Sequence, residues 1–392
     1  MPPRILFLRS CTKIAFSSFV AGGLCCSKKN AFIQYPLLNC DNLSKLNKLY
    51  NPVIAKEYLE QNIISSTSEL RTQLETGYFD LIILLAHDTP LFSFQKTSWM
   101  KKLRNLVAFF KKNKDAESST GLNCFSGITD SIAKIAYRVP IVIIDFDDWI
   151  CLSLSSQHIL QYCTFYYKRE LPFNRFFLYY QHRPAHWRKM REQLLPHCAK
   201  MRRMPLGIED QKYQDLKKLR KDEQDIDVFF CSQPTSTLRI RAIEKLSNLA
   251  DTTNWKIVLA DSMPFKEFCD HIARSKITVS VSGGGWDCFR HYEAAALGSL
   301  PLMDQPTVDT CWRDIADGTF FFDSTFRNFQ ERLEFFLTCP ERRSAALAAI
   351  TRHVEQDMLH SKIVERIVAE LLHKKNNRHR NHALETAADH PG

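Results

Sequence analysis

Residues 277–304, ITVSVSGGGWDCFRHYEAAALGSLPLMD, place the strongest constraint on how this chain folds. An alternating apolar run ends in three consecutive glycines (283–285), a helical pattern follows and closes at Gly298, and a second apolar run begins at Leu300. This order predicts a strand, a glycine-rich turn, a helix with a glycine cap and a second strand. A helix that begins at the glycines has unpaired backbone N–H groups and no Cβ atoms in the way, so we expect the turn to suit a phosphate or a sugar.

Apolar runs alternate with amphipathic helical stretches along most of the 392 residues, which is typical of parallel α/β architecture. A chain of this length is expected to form two domains, joined here at a connector that contains Pro205 and Gly207. We therefore predict an α/β fold of two Rossmann-like domains facing across a cleft, where ligands tend to bind. The predicted parts are an N-terminal Rossmann-like domain (1–203), a C-terminal Rossmann-like domain (204–345), a helix that packs back on the first domain (346–374) and a disordered basic tail (375–392).

The predicted secondary structure is more regular in the second half of the chain. The expected strands are residues 4–9, 79–87, 140–146, 227–233, 255–261 and 319–324, together with the two around the glycine turn. The expected helices include residues 237–250, 264–276 and a long helical end at 326–374.

Composition narrows the class of protein only in part. With 45% hydrophobic and 24% charged residues the chain is expected to be globular. It has no apolar stretch near 18 residues, so we expect no transmembrane helix. The 13 cysteines form no pattern typical of zinc sites or disulfide frameworks, which favours reduced thiols and a cytoplasmic location. Residues 1–40 contain no acidic residue, so a targeting segment and a first strand at 4–9 both remain open.

The net charge of +10 is concentrated in two stretches, 183–203 and 373–382. Basic surface attracts phosphorylated substrates, anionic membranes or nucleic acid, although a solvated face is the simpler interpretation of any one run. We predict a possible peripheral contact with an anionic membrane and no specific nucleic-acid partner.

Several segments resemble one enzyme family. They are PLGIED (205–210), DVFFCSQPTSTLRIRAIEKL (227–246) and FKEFCDHIARSKITVSVSGGGWDCFRHYEAAALGSLPLM (265–303). Together they resemble the nucleotide-sugar-binding domain of GT-B glycosyltransferases, in particular the "group 1" enzymes and their bacterial spore-coat-protein-like and viral relatives. VIIDFDDW (142–149) and TFYYKRELP (164–172) resemble the aspartate strand and "YFKRE" segment of the same relatives.

The resemblance assigns expected roles to the donor side of the cleft. Glu293 matches the glutamate that binds the ribose hydroxyls of the donor nucleotide, a role for which a carboxylate is well suited. The alternative is a surface ion pair between Glu293 and Arg290. The other predicted donor-binding residues are Gly283, Gly284, Gly285, Arg290 and Arg239; each arginine is a candidate phosphate ligand or a structural or solvated residue. The family pattern has a second glutamate eight positions before the first, and Gly285 stands there in this chain.

The acceptor side is less well defined by the sequence. Asp145 and Asp147 follow a predicted strand and are candidate bases for the attacking hydroxyl. With Asp148 they are also a candidate Mg²⁺ or Mn²⁺ site, or simply structural carboxylates. His87 is a further candidate base, with a buried structural histidine as the alternative. Lys168, Arg169 and Glu170 match the family's KRE and are expected to lie on the acceptor or phosphate side.

These expectations combine into a hypothesis of function. We predict a glycosyltransferase that moves a sugar from a UDP- or GDP-sugar donor to an unidentified hydroxyl acceptor. No cofactor is required; a divalent metal is possible but not favoured, because the glycine-turn N–H groups and an arginine are expected to stabilise the diphosphate. The alternatives are another nucleotide-sugar enzyme, such as a sugar epimerase, and a degenerate, non-catalytic GT-B-like binding protein.

Overall fold

The computed structural model describes residues 3–9, 32–36, 63–64, 67–86, 129–148, 150–152, 157–179, 195–316 and 318–388. His87, most of the basic stretch 183–203 and most of the possible targeting segment lie outside these residues. The strands are β1 (Arg4–Arg9), β2 (Phe32–Pro36), β3 (Ile63–Ile64), β4 (Leu81–Ala86), β5 (Ile141–Asp145), β6 (Phe165–Lys168), β7 (Met201–Arg203), β8 (Ile226–Cys231), β9 (Ile257–Ala260), β10 (Ser275–Ser280), β11 (Leu300–Asp304) and β12 (Phe321–Phe322).

The strands form two parallel sheets, one in each half of the chain. The first has seven strands in the order β3-β2-β1-β4-β5-β6-β7. All five residues of β5 and all four of β6 are buried, because helices cover both faces of such a sheet, and this explains their continuous apolar and aromatic sequences. The second has five strands in the order β12-β11-β10-β8-β9. The α/β class and the two Rossmann-like domains predicted from the sequence are confirmed.

Helices connect most of the strands. They are α1 (Thr67–Glu75), α2 (Thr129–Ile135), α3 (Gln157–Leu160), α4 (Asp210–Lys217), α5 (Thr237–Thr252), α6 (Phe265–Ala273), α7 (Phe289–Leu297), α8 (Phe329–Thr338), α9 (Pro340–His353) and α10 (His360–Ala388), with a π turn at Val354–Met358 and 3₁₀ turns at Arg175–Tyr179, Leu195–Lys200, Cys311–Asp314 and Gly318–Phe320. Within the described ranges, no helix combines the length and apolarity needed to cross a lipid bilayer.

The long helical end predicted for residues 326–374 is divided into three helices. Pro340 starts α9, since a proline at the first helical position forfeits no backbone hydrogen bond. Leu359 is extended (φ −68°, ψ 147°) and separates the π turn from α10. The last helix also continues to Ala388, through residues for which a disordered tail was expected. The segment 375–388 contains no glycine or proline, and Lys375 anchors it by an ion pair with Asp80 at 2.8 Å.

The chain crosses between the domains twice. The first crossing is the connector 204–209, and the second leads from the π turn into α10, which returns to the first domain. There Glu370 binds Arg202 at 3.0 Å and also accepts a hydrogen bond from Tyr167. The two crossings pair with each other in parallel at Ile208 and Leu359.

Candidate functional site

Strand order determines where a ligand site is expected. In the second sheet the chain moves from β8 to the edge at β9 and then returns to β10 on the other side of β8. The loops that follow β8 and β10 therefore diverge and leave a crevice at the carboxyl ends of these strands. The loop after β10 contains Gly283–Gly285, and the loop after β8 leads into the helix that carries Arg239. Asp145 and Lys168 end β5 and β6 in the first sheet.

The glycine turn is longer than the sequence predicts. Helix α7 begins at Phe289, four residues after the last glycine, with extended Cys288 (φ −135°, ψ 156°) as its N-cap. The expectation that the helix begins at the glycines is therefore wrong. Asp304 at the end of β11 holds the start of the turn by accepting hydrogen bonds from the backbone N–H and hydroxyl of Ser282, at 2.8 and 2.9 Å. The backbone N–H of Gly283 then donates to the carbonyl of Gly285 at 3.0 Å, which closes the turn.

Each of the three glycines makes room for a charged side chain from elsewhere in the chain. A Cβ atom at position 283 would collide with the guanidinium of Arg239, and one at 284 would lie 3.2 Å from a carboxylate oxygen of Asp148. At position 285 it would lie 2.5 Å from Oε1 of Glu170 and 2.6 Å from Nη2 of Arg169. None of the three glycines has a positive φ, so space rather than backbone conformation requires them.

Glu170 of the first domain binds directly to the turn in the second. Its Oε2 accepts the backbone N–H of Trp286 at 3.0 Å, and its Oε1 accepts that of Asp287 at 3.1 Å. The side chain is buried; burial raises the pKa of its carboxyl, whereas Arg169 and the two N–H groups act in the opposite direction. Arg169 is buried beside it, with Nε 3.3 Å from Oε1 of Glu170. The structure thus brings Arg169 and Glu170 to the turn.

Arg239 and Arg290 lie on the second-domain side of the turn without a carboxylate partner. In the described part of the chain neither arginine forms an ion pair, and buried nitrogens of both (Nε of Arg239; Nε and Nη1 of Arg290) lack a hydrogen-bond acceptor. Burial and the nearby Arg290 lower the pKa of Arg239. Two adjacent guanidinium groups with unused donors are suited to a polyanion such as a diphosphate.

Glu293 lies in the second turn of α7, and its ion-pair partner is not the Arg290 that the sequence suggested. Its Oε1 accepts a hydrogen bond from Nζ of Lys212 at 2.7 Å, so the pair is with Lys212 and not with Arg290. The Lys212 ammonium lies 5.3 Å from the ring centre of Phe265 and 5.4 Å from that of Phe289. Both rings are about half exposed and occupy the first positions of α6 and α7.

Asp145 is fully enclosed in the first domain. Its Oδ2 binds Nζ of Lys168 at 2.9 Å and the hydroxyl of Tyr166, while Oδ1 accepts the backbone N–H of Asp147 at 3.0 Å. Asp145 and Lys168 have no exposed surface. Burial raises the pKa of Asp145 and Lys168 opposes that rise. A carboxylate so enclosed cannot reach an acceptor hydroxyl, so the structure favours a structural role for this pair over the predicted catalytic and acceptor-side ones.

The remaining acids of the first domain differ in exposure. Asp147 is buried, whereas Asp148 is more than half exposed, pairs with Arg169 and faces Gly284. Lys168 and Arg169 already neutralise two of the three carboxylates in this stretch, so the set does not fit the divalent cation considered from the sequence. Among the described residues, no group of three or more His, Cys, Asp or Glu side chains is arranged to hold a metal ion.

Asp287, the acid nearest to the glycines in sequence, is also structural. It accepts hydrogen bonds from the backbone N–H of Leu206 (2.7 Å), the hydroxyl of Tyr292 (2.8 Å) and the indole of Trp312 (3.2 Å). It therefore fixes the connector to the turn and does not replace the carboxylate that the family pattern has at position 285.

The sequence analysis missed a thiol–imidazole pair at the start of α7. The Sγ atom of Cys288 lies 3.7 Å from Nε2 of His291 and 3.6 Å from the hydroxyl of Ser280. Burial opposes ionisation of this thiol, but His291 and Arg290 outweigh it and lower the pKa of Cys288 to about 7. A Cys-x-x-His spacing at the start of a predicted helix is the signal that was available, because residues three apart share a helix face.

Comparison with known proteins supports the fold. No protein-family model and no curated protein matches the sequence. The structure is similar to an alpha-glucosyltransferase in complex with UDP and a 13-mer DNA containing a HMU base, with a TM-score of 0.50 and 10% identity over 95% of this chain and 100% of that chain. A glycosyltransferase from Rickettsia africae gives a TM-score of 0.49 at 7% identity (95% and 98% covered). A UDP-N-acetylglucosamine 2-epimerase gives 0.40 at 10% identity (96% and 96% covered).

The first of these similarities covers 95% of this chain and the whole of the other. It confirms that the two sheets and the cleft between them form a GT-B type fold. At 10% identity it carries the fold alone, so any activity has to be argued from the side chains around the glycine turn.

Proposed function

We propose that this chain, whose fold is that of the GT-B glycosyltransferases, transfers a sugar from a nucleotide-sugar donor to a hydroxyl acceptor. The observation that carries the proposal is the unsatisfied positive charge of Arg239 and Arg290 beside the glycine turn. Buried guanidinium nitrogens without acceptors are costly to a folded protein unless a ligand completes them. Their place at the switch point of the second sheet is where a ligand is expected in such a fold.

Three parts of the donor, its diphosphate, its ribose and its base, are each assigned to different residues of this site. Its diphosphate lies against Arg239 and Arg290, and its ribose hydroxyls bind the carboxylate of Glu293. The half-exposed rings of Phe265 and Phe289, on either side of Lys212, offer apolar faces for the base. This assignment keeps the predicted donor-binding roles of Arg239, Arg290 and Glu293 and gives Lys212 the role of orienting Glu293.

The chemistry is a substitution at the anomeric carbon. The acceptor hydroxyl forms a new C–O bond while the bond from that carbon to the diphosphate oxygen breaks, and the hydroxyl proton passes to a carboxylate. Negative charge increases on the departing nucleoside diphosphate, where the two arginines stabilise it. For the proton acceptor the proposal keeps Asp147 and adds Asp148, which faces Gly284 across the cleft. The side chain of Asp287 is fully engaged, so no step depends on a second acid in the turn.

Nucleotide binding is the first test. Thermal-shift titrations would compare UDP, GDP and ADP with the corresponding monophosphates. We expect one diphosphate to raise the Tm more than its monophosphate does, and we expect Arg290→Met to abolish that difference. If no diphosphate stabilises the protein, the proposal is overturned.

Transfer is the second test, and it separates the proposal from the alternatives. Release of the nucleoside diphosphate would be followed with each nucleotide sugar, alone and with a panel of acceptors. The panel would include glycans, lipids, peptides and DNA containing the HMU base found with the structural neighbour. We expect release that depends on an acceptor. Conversion of the donor without an acceptor would indicate an epimerase, and binding without turnover a non-catalytic protein.

A further inference from the structure

Glu170 makes the most direct contact between the first domain and the glycine turn. Its two carboxylate oxygens bind two consecutive backbone N–H groups, those of Trp286 and Asp287, just before α7 begins. Only about 1% of the residue surface is exposed. Because the carboxylate belongs to the first domain and the two N–H groups to the second, the contact exists only when the two domains are closed on each other.

The contact is well matched electrostatically. A carboxylate that accepts two N–H groups makes charge-assisted hydrogen bonds, and the positive end of the α7 dipole lies close by. Arg169 supplies a compensating positive charge at 3.3 Å and is itself about 97% buried, with its Nε lacking a well-aligned acceptor. If the domains separate, the two N–H groups lose their acceptor and the carboxylate keeps only Arg169 as a partner.

The same two side chains explain Gly285. A Cβ atom there would lie within about 2.6 Å of both Glu170 and Arg169, which are too buried to move aside without breaking the contact. Position 285 therefore requires a glycine, because the carboxylate of Glu170 occupies the space that a Cβ atom would need.

We propose that Glu170 is a positioning residue that couples closure of the two domains to the conformation of the donor-binding turn. Holding the N–H groups of Trp286 and Asp287 fixes the segment that leads from Gly283–Gly285 into the helix bearing Arg290. Domain closure therefore sets the geometry in which the turn and Arg290 meet a donor diphosphate. This inference rests on the proposed function, because it assigns Glu170 to the same donor site.

The test uses Glu170→Gln in the full chain, with Glu370→Gln as a matched control. Glu370 is also a glutamate that accepts hydrogen bonds from two first-domain groups, those of Arg202 and Tyr167, but it lies on α10 and does not touch the turn. Glutamine keeps the size of the side chain and loses the charge and one of the two acceptors. Glu170→Asp, which keeps the carboxylate, is the conservative variant, and circular dichroism would confirm that each variant folds.

Two measurements decide the question. Hydrogen exchange resolves the N–H groups of Trp286 and Asp287 without any ligand, and we expect it to be about 10-fold or more faster in Glu170→Gln, with no change in Glu370→Gln. The affinity for the nucleoside diphosphate that stabilises the wild type is expected to fall about 10-fold in Glu170→Gln, since a charge-assisted hydrogen bond is lost. Glu170→Asp is expected to recover part of both effects.

The remaining outcomes overturn the inference in distinguishable ways. Unchanged exchange in Glu170→Gln refutes the contact itself, whatever the affinity. Faster exchange with unchanged affinity, or an equal loss of affinity in Glu370→Gln, refutes the coupling to donor binding. If the wild type binds no nucleoside diphosphate, the proposed function fails and the coupling fails with it, while hydrogen exchange still reports whether Glu170 holds the turn.

Discussion

Lys212 of α4 donates a hydrogen bond to Glu293 of α7 over 2.7 Å, which places an ammonium next to the carboxylate proposed to bind the donor ribose. The pair joins two helices of the second domain, α4 and α7. A carboxylate held in this way keeps one oxygen directed by Lys212 and has little rotational freedom to lose when a ligand binds.

The first prediction concerns this carboxylate. Glu293→Ala should lower nucleoside diphosphate affinity about 10- to 100-fold, because hydrogen bonds to a charged group contribute about 1.5–3 kcal/mol. Isothermal titration calorimetry measures the change. Glu355→Ala is the control, since Glu355 pairs with Lys217 of the same helix at the same 2.7 Å. An equal loss in both variants would contradict a direct role for Glu293.

Arg290→Met should affect binding and stability in opposite directions. Diphosphate affinity should fall about 10- to 100-fold, while the Tm of the free protein should stay level or rise, because the substitution removes the repulsion of Arg239 and buried donors without acceptors. Arg220→Met should show the reverse pattern, since Arg220 caps the other end of α7 through the carbonyls of Ala295 and Ala296. A large loss of stability in Arg290→Met would argue against an anion-binding role for Arg290.

Alanine should have a different effect on stability and binding at each of the three glycines. Gly285→Ala meets the buried Glu170 and Arg169 and should destabilise the protein by about 1–3 kcal/mol, as overpacking does. Gly284→Ala should cost less than Gly285→Ala, because the nearest atom is a carboxylate oxygen of the partly exposed Asp148 at 3.2 Å, which has to shift by only a few tenths of an ångström. Gly283→Ala should preserve stability but weaken diphosphate binding, since it displaces the flexible end of Arg239. Urea unfolding and nucleotide titration separate these effects, and equal destabilisation by all three would be inconsistent with the contacts described.

Cys288 should react with iodoacetamide at unusually low pH. Its pKa of about 7 means that the rate should rise with pH through about 7, as the thiolate forms. Burial raises the pKa of Cys269 and Cys311 to about 11, so these thiols should react slowly over the same range. Mass spectrometry locates the modified residue, and His291→Asn should move the midpoint upward. A nucleoside diphosphate should protect Cys288, and a midpoint above about pH 8 would refute the proposed effect of His291.

The buried ion pair between Asp145 and Lys168 should contribute to the stability of the fold. Asp145→Asn should destabilise the protein by about 3–5 kcal/mol, because it leaves the ammonium of Lys168 uncompensated in the core. Combining it with Lys168→Met should recover much of the loss, which chemical denaturation would show. Near-normal stability in the single variant would contradict the structural role assigned to Asp145.

Local features of the second domain were predictable from the sequence because they depend on neighbours along the chain. Alternating apolar residues gave β10 and β11 within about two residues, and Gly298 closes α7 in the left-handed conformation (φ 88°) as its position predicts. The strands β6 and β7 were not among the strands predicted from the sequence. Their four and three residues are too few for alternation to show, and β6 is buried on both faces.

The site itself was harder to predict because its decisive contacts are distant in sequence. The glycines were recognised as a place for close approach, but the groups that approach are Arg239, Asp148 and Glu170, up to 136 positions away. Asp145 was considered as a base because nothing near it in the sequence reveals that Lys168 and Tyr166 enclose it. Contacts of this kind depend on how two sheets face each other, which the order of strands alone does not specify.

The pairing of Ile208 with Leu359 has a mechanical consequence. The backbone N–H of Ile208 donates to Met358 at 3.2 Å and that of His360 donates to Ile208 at 3.0 Å, so the two links between the domains are bonded side by side. We therefore expect the two adjacent links to act as a single hinge, about which the domains rotate without sliding past each other. The greatest displacement on opening then occurs at the cleft rim farthest from residues 208 and 359, and cutting one link leaves the other to hold the same axis.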